Sequence, residues 1–273
     1  MEKVCVVIPV HSNTPSPYEL ISFQQCFKVL GGHPIKILAP YNLDLTAYKN
    51  VVPIFDIVFI DSKWQSSLVQ YNQMKYNLFF YELFDEYEYL LTYELDVFVF
   101  KDELLYWCEK KYDYIGAPWL DGYTNASSGA AFITGGNSGF SLRKIKACRN
   151  ALTKIAFKKK GIDIIKDFFL SSEKISEKLN PINLLRTIYY NSTLHLNKTF
   201  DWNEDFYWSI EVPKYFKTFA LAPPMEAMKF SMEVQPRYLF QLNNNELPFG
   251  CHAWYRYDIE FWKPFINSFG YNI

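Results

Sequence analysis

Two acids at the end of an apolar run carry the first chemical signal in this sequence. Tyr87 to Lys101 reads YEYLLTYELDVFVFK: branched and aromatic residues give way to Glu94 and Asp96 and resume as Val97-Phe98-Val99-Phe100. A run of this composition after a helical segment predicts a strand buried on both faces. An ionised carboxylate there is expensive unless it pairs with a cation or holds a metal. Residues i and i+2 of a strand point the same way, so while the chain stays extended the pair offers two oxygen ligands on one side, the outline of a hard-cation site. The plainer reading is a buried salt bridge or a solvated acidic loop. Position favours the first, because ligands of open α/β sheets gather at the carboxyl ends of the strands.

A second candidate is Gly135-Gly136-Asn137-Ser138-Gly139-Phe140-Ser141-Leu142-Arg143. Its glycines let the chain turn closely against a ligand, and Asn137 and Ser138 add small polar groups ahead of a helix expected near Lys144. A glycine-rich turn that only caps a helix competes with this reading. Arg143 suits either a phosphate or a core carboxylate.

The elements that must position these residues alternate in the α/β manner. Val4 to Val10 reads as a strand, Tyr18 to Leu30 as an amphipathic helix closed by Gly31-Gly32, and Ile35 to Leu38 as a second strand. Ile57 to Ile60 is a third strand ending at Asp61, and Val69 to Tyr87 a long helix leading into the strand of Glu94 and Asp96. The pattern favours a largely parallel sheet with right-handed crossovers. Beyond it, Tyr112 to Trp119 reads as a strand turning into a loop, Asp121 to Gly135 as a mobile small-residue loop, and Ala151 to Leu179 as an amphipathic helix carrying Lys158-Lys159-Lys160. A solvated face suits that basic run better than a membrane surface, since acids are interspersed.

Length and composition bound the rest. The 273 residues suffice for one large core, and a net charge of −1 leaves no nucleic-acid footprint. Aromatics make up 19% of the chain, well above an ordinary share; much of that must be core, but amphipathic rings beyond core demand often line sites where sugars or bases stack, and Trp119, Trp202, Trp208 and Trp254 read either as such rings or as core packing. The amino terminus, MEKVCVVIPVHS, reads as a first strand rather than a signal segment, and no stretch reaches the length of a membrane span. Five scattered cysteines without C-x-x-C spacing suggest a reduced, cytoplasmic compartment and no structural zinc.

Taken together, Val6-Val7-Ile8-Pro9-Val10-His11, the E-x-D of Tyr87 to Phe100, Gly136 to Arg143, Asn203-Glu204-Asp205-Phe206-Tyr207-Trp208 and Pro248-Phe249-Gly250-Cys251-His252 resemble, in that order, nucleotide-sugar glycosyltransferases of the GT-A fold. The likeness is closest to a bacterial and fungal group catalogued mainly as a domain of unknown function, and it covers nearly the whole chain. It implies a single GT-A-like α/β domain over 1–273, with a nucleotide-binding half, 1–101, and an acceptor-binding half, 102–273.

The resemblance also assigns roles. Glu94-Leu95-Asp96 stands where such enzymes carry D-x-D, so Asp96 would ligate Mn²⁺ or Mg²⁺ directly and Glu94 would bind through water or contact the ribose; the first acid departs from the pattern. His252 would be a third metal ligand, where the residue alone reads as a hydrogen-bonded packing histidine. Asp205, with Glu204 next, would be the general base, although acids also favour the first turn of a helix. Pro9, Val10 and His11 would hold base and ribose, Gly136, Asn137 and Ser138 the donor sugar and part of the acceptor site; Asp61, Asn72 and Lys75 are further nucleotide contacts. The implied activity is transfer of a sugar from a nucleoside diphosphate, UDP first, to a saccharide or glycoconjugate hydroxyl with inversion, in bacterial surface polysaccharide or glycoconjugate synthesis, with at most peripheral membrane association. Two rivals are a sugar-phosphate nucleotidyltransferase, disfavoured because His11 to Pro17 lacks the glycine and basic residue its loop requires, and a non-catalytic carbohydrate-binding protein on the same fold.

Overall fold

The computed structural model describes residues 2–171, 178 and 180–273. Its centre is a six-stranded sheet built from β1 (Glu2–Pro9), β2 (Ile35–Pro40), β3 (Asp56–Ile60), β4 (Tyr87–Tyr93), β6 (Tyr114–Gly116) and β9 (Phe140–Lys144), in the order β3-β2-β1-β4-β9-β6. β3, β2, β1 and β4 run parallel, and β9 lies antiparallel to both β4 and β6. The result is the mixed, mostly parallel α/β sheet flanked by helices that the alternation of elements predicts.

Period-two burial explains why the inner strands are apolar throughout. Val4, Val6, Ile8, Tyr89, Leu91 and Tyr93 face Phe23, Cys26 and Leu30 of α1 (Pro17–Leu30), while Cys5, Val7 and Leu90 face Met74 and Phe80 on the other side. Each face of β1 and β4 therefore meets a helix layer, as a parallel sheet requires. α1 starts where it does because Ser16 and Glu19 form a reciprocal capping box and Pro17 fits the first turn.

Several expected elements are broken, each for a local reason. The long helix over Val69 to Tyr87 is two helices, α2 (Leu68–Lys75) and α3 (Leu78–Glu82), because Asn77 caps the second by accepting a hydrogen bond from Phe79 N at 3.0 Å. The chain does not stay extended through the two acids. It turns there, with Val97 N donating to Glu94 O at 3.0 Å, and the run resumes as β5 (Phe98–Val99) in a separate three-stranded sheet with β10 (Ser231–Met232) and β11 (Gly250–Cys251). The loop expected over Asp121 to Gly135 ends in a strand, β8 (Phe132–Gly135), paired with β7 (Pro118–Leu120). The glycine segment feeds β9 before any helix, so its amides do not sit at a helix start.

The helix expected over Ala151 to Leu179 is likewise interrupted. α4 (Ile145–Thr153) stops, 154–160 crosses as a loop, and α5 (Gly161–Leu170) follows; the end expected at Leu179 lies outside the described residues. The loop is tied down by Lys158 N to Asn191 O at 2.9 Å and Ala156 N to Thr193 Oγ1 at 3.1 Å. Lys158, Lys159 and Lys160 therefore stand on a loop, not on a helix face. α6 (Pro181–Tyr190) and α7 (Thr193–Thr199) come next.

Leu91 sits at the middle of this arrangement, fully buried and in register with Val6 on one side and Leu142 on the other. Leu91→Ala should lower unfolding free energy by about 2–5 kcal/mol in urea denaturation. A loss under about 1 kcal/mol would contradict a close-packed centre at this strand.

Candidate functional site

Order β3-β2-β1-β4 reverses direction at β1, so the carboxyl ends of β1 and β4 flank a topological switch point. A cleft of about 420 Å³ opens there, and Pro9, His11, Gln65, Ser66, Ser67, Tyr71, Glu94, Asp96, Tyr255 and Arg256 are among the side chains that line it. A second cleft of about 470 Å³, between His33, Asp102 and Lys229, lies away from these acids.

Glu94, Asp96 and His252 meet at the first cleft, with one potential ligand atom from each lying within 4.8 Å of the others. His252 Nε2 is 3.1 Å from Asp96 Oδ1 and 3.8 Å from Glu94 Oε2. The histidine and aspartate form a buried ion pair, although neither Asp96 Oδ1 nor His252 Nε2 makes a well-aligned hydrogen bond. A divalent cation held by all three residues would give these buried polar atoms a common partner in place of the imidazole proton. A hard ion with bonds of ~2.1 Å sets its ligands ~3–4 Å apart, the spacing found here. The donor set, two carboxylates and an imidazole, suits Mn²⁺ or Mg²⁺.

The turn and a missing side chain make the meeting possible. Tyr93 hydroxyl donates to Val97 O at 3.1 Å and Ser22 O at 3.0 Å, clamping the turn of Glu94 and Asp96 against α1. At Gly139 an added Cβ would lie 2.0 Å from His252 Nε2, so only glycine leaves the imidazole its place. Glu233 accepts at His252 Nδ1, 3.1 Å away, and so fixes the orientation of the imidazole. Burial opposes protonation of His252, but the charges of Asp96 and Glu233 outweigh it and raise its pKa well above the ordinary imidazole value. That raised affinity for a proton measures how strongly the pocket attracts positive charge.

Behind the acids lies a buried ionic network. Lys75 Nζ is 2.8 Å from Glu94 Oε1 and 2.8 Å from Glu204 Oε1, and Arg143 Nη2 is 2.9 Å from the same Glu204 oxygen. Tyr71 hydroxyl donates to Glu94 Oε1 at 2.8 Å, and Lys75 also donates to Ser138 Oγ at 3.1 Å. Burial would raise both carboxyl pKa values, but Lys75 holds Glu94 well below the usual range and Arg143 with Lys75 lowers Glu204. Burial likewise disfavours the charge on Lys75, and Glu204 and Glu94 more than restore it.

Of the other residues singled out from the sequence, Pro9 and His11 line the cleft, whereas Val10 is fully buried. Asp61 is held at an exposed turn, accepting from Lys63 N at 2.9 Å, and the segment after it lines the cleft instead. Asn72 accepts from Glu204 N at 3.0 Å, so it fixes the acidic motif and not a nucleotide. Gly136 packs its backbone on Ser209 and Trp119, Asn137 accepts from Gly139 N at 3.0 Å, and Ser138 supports Lys75. Glu204 is fully buried against two cations, which suits charge balance and does not suit a reserve base. Asp205, half-buried, is pushed up to about 7, first by burial and then by the charge of Glu204. Trp208 and Trp254 are fully buried in the core, while Trp202 and Trp119 both pack on Phe206, with ring centroids 4.6 Å away in each case.

Sequence reading missed Glu233, Arg256, Tyr255, Tyr71 and the Gln65–Leu68 segment. Tyr71 was accessible, since it stands one helical turn before Lys75. Arg256 Nη2 is 3.6 Å from Asp96 Oδ2; nothing in its neighbourhood of the sequence signals that approach, nor the one by Glu233.

A model of the family described as "Protein of unknown function (DUF5672)" matches residues 55–252, a span that holds the E-x-D, the glycine segment, Asn203-Glu204-Asp205 and His252. No curated protein matches the chain. Similar solved structures include an active-site mutant of LgtC at 13% identity, covering 97% of this chain and 95% of that one with a TM-score of 0.49. Mouse xyloside xylosyltransferase 1 in its apo form matches at 8% identity over 92% of this chain and 97% of its own, with a TM-score of 0.47. The Saccharomyces cerevisiae mannosyltransferase Ktr4p in complex with GDP matches at 12% identity over 83% and 68%, with a TM-score of 0.41. Likeness of this degree concerns the chain's path and bears no weight on its chemistry.

Removing the shared cation tests the network. Lys75→Met leaves Glu94 and Glu204 short of a partner and should cost roughly 3–5 kcal/mol of unfolding free energy near neutral pH. Because both carboxyl pKa values are depressed in the folded protein, the native network contributes above the ordinary carboxylate range and is lost as pH falls. The gap between Lys75→Met and the native protein should therefore narrow on acidification; a gap that stays constant or widens toward acid would contradict the ionic account.

Proposed function

The chain belongs to the DUF5672 family, and we propose that it is a metal-dependent glycosyltransferase, moving a sugar from a nucleoside diphosphate, UDP in the first instance, to a saccharide hydroxyl with inversion. The observation that carries this reading is the convergence of Glu94, Asp96 and His252, one potential ligand atom from each within 4.8 Å of the others, where Glu94 and Asp96 line a cleft at the switch point of the sheet. Asp96, Glu94 and His252 would hold the ion, and when bound it would supply positive charge to the diphosphate as the sugar departs. Pro9, His11 and the Gln65–Leu68 segment would receive base and ribose. Arg256, exposed at the cleft and close to Asp96, would meet the phosphates.

Asp205 would take the acceptor proton. Its carboxyl feels the charges of Glu204, Lys75 and Glu233, so it lies in the same electrostatic neighbourhood as the metal-ligating group. A carboxylate poised near neutrality is matched to that task. Trp202, Phe206, Trp119 and Tyr123 form a partly exposed aromatic run beside it on which a sugar ring can stack. The setting favoured is synthesis of bacterial surface polysaccharide or glycoconjugate.

Thermal unfolding with UDP should shift upward only when Mn²⁺ or Mg²⁺ is present, and Asp96→Ala should erase both that shift and transfer. An unshifted native protein across a panel of nucleoside diphosphates with either metal would remove the proposal. Asp205→Asn should lower turnover by roughly 10²–10⁴-fold while leaving nucleotide binding intact. Since the deprotonated form is the base and the raised pKa is about 7, native kcat/KM should climb through neutrality and level off in alkali; a flat profile would count against Asp205.

A further inference from the structure

The residues between α4 and the aromatic run present an apolar surface that is exposed among the described residues. α5 is apolar on two sides: Ile164 and Phe168 point into the fold, whereas Ile162, Ile165 and Phe169, at spacings of three and four, face outward and Leu170 is 83% exposed. A helix of a soluble domain normally turns polar residues to that side. α6, which packs against α5, has no fully buried residue and exposes Ile182, Leu185 and Tyr190. Ile155 and Phe157, also exposed, join through the loop bonded to Asn191, and Leu194 continues the surface onto α7. Contiguous apolar exposure of this extent marks an interaction site.

Charge decides what it meets. Residues 151–200 hold nine Lys or Arg and four Asp or Glu, a net of +5 within a chain whose total is −1, so the remainder carries −6. Lys154, Lys158, Lys159, Lys160, Lys166 and Arg186 are exposed among the apolar side chains, with Lys159 paired to Asp167. Aliphatic and aromatic residues interleaved with lysines whose stems can lie along apolar surface fit the boundary of a bilayer bearing anionic headgroups. A second protein would need shape-matched recesses, and the two helices instead offer protruding side chains. No described helix is long and apolar enough to cross a membrane.

We infer that the α5–α6 surface, with the Ile155–Phe157 loop, docks this protein peripherally on anionic lipid bilayers. The inference stands apart from the proposed transfer reaction. α7 leads from this surface to the segment of Trp202 and Asp205, so docking would bring that segment close to the lipid.

The full chain can be sedimented with phosphatidylcholine vesicles, alone or mixed with an equal amount of phosphatidylglycerol, at low and high salt. Binding is expected on the mixed vesicles only, weakening as salt rises. Leu170→Glu with Leu185→Glu, and separately Lys158→Glu with Lys160→Glu, should each reduce it at least tenfold. Ile54→Glu, at a distant apolar residue that is 87% exposed, should leave it unchanged. Circular dichroism confirms that each variant folds. Failure of the native chain to pellet with mixed vesicles overturns the inference, as does binding that survives both pairs of substitutions. Self-association in light scattering that Leu170→Glu abolishes, without vesicle binding, overturns it in favour of a second copy of this chain.

Discussion

One buried ammonium group organises this site. Lys75 lies between a carboxylate at the cleft, Glu94, and a carboxylate at the start of the acidic motif, Glu204, at equal distances of 2.8 Å. Glu204, fully buried, could not remain ionised without it and Arg143, and Glu94, partly open to the cleft, is held ionised chiefly by it. Because α2 supplies the lysine, β9 the arginine, the turn after β4 one acid and the residues around 204 the other, four separate parts of the chain are fixed to each other by charge. Apolar packing sets their approximate approach; the ion pairs set their register.

That network also explains the division of labour among the acids. Glu204 and Asp205 are neighbours in sequence, yet one is held ionised by two cations and the other is pushed up first by its burial and then by the first one's charge. Glu94 spends one oxygen, Oε1, on Lys75 and Tyr71 and turns the other, Oε2, toward His252. The protein thus turns a chemically uniform set of carboxylates into a scaffold member, Glu204, a bridging member, Glu94, and two acids outside the lysine–arginine network, using only burial and proximity of charge.

Much of this could be read from the residue order. The parallel half of the sheet was visible because two-sided burial demands continuous apolar runs such as CVVIP and YLLTY, and the two acids stood out because nothing else in such a run costs as much. The turn through Glu94 and Asp96 was not visible: it depends on Tyr93 reaching Ser22, a contact 71 residues apart in the chain. Asn77 as a helix cap was legible in type but was overridden by the long apolar stretch around it. Glu233 and Arg256 were hidden because their roles arise from β10 and from the turn after β11 folding back beside β5, which no local pattern announces. His252 was found only by its likeness to other sequences; its own neighbours describe a buried strand end.

The seat of that histidine has a further use. The imidazole occupies the volume that any substituent on the alpha carbon of residue 139 would fill. A related chain with alanine or anything larger at the equivalent position must move the imidazole from this seat, away from the two acids, whatever acids it retains. Inspecting a single column would sort descendants able to grip a divalent ion in this manner from those that have drifted to some other employment of the same scaffold.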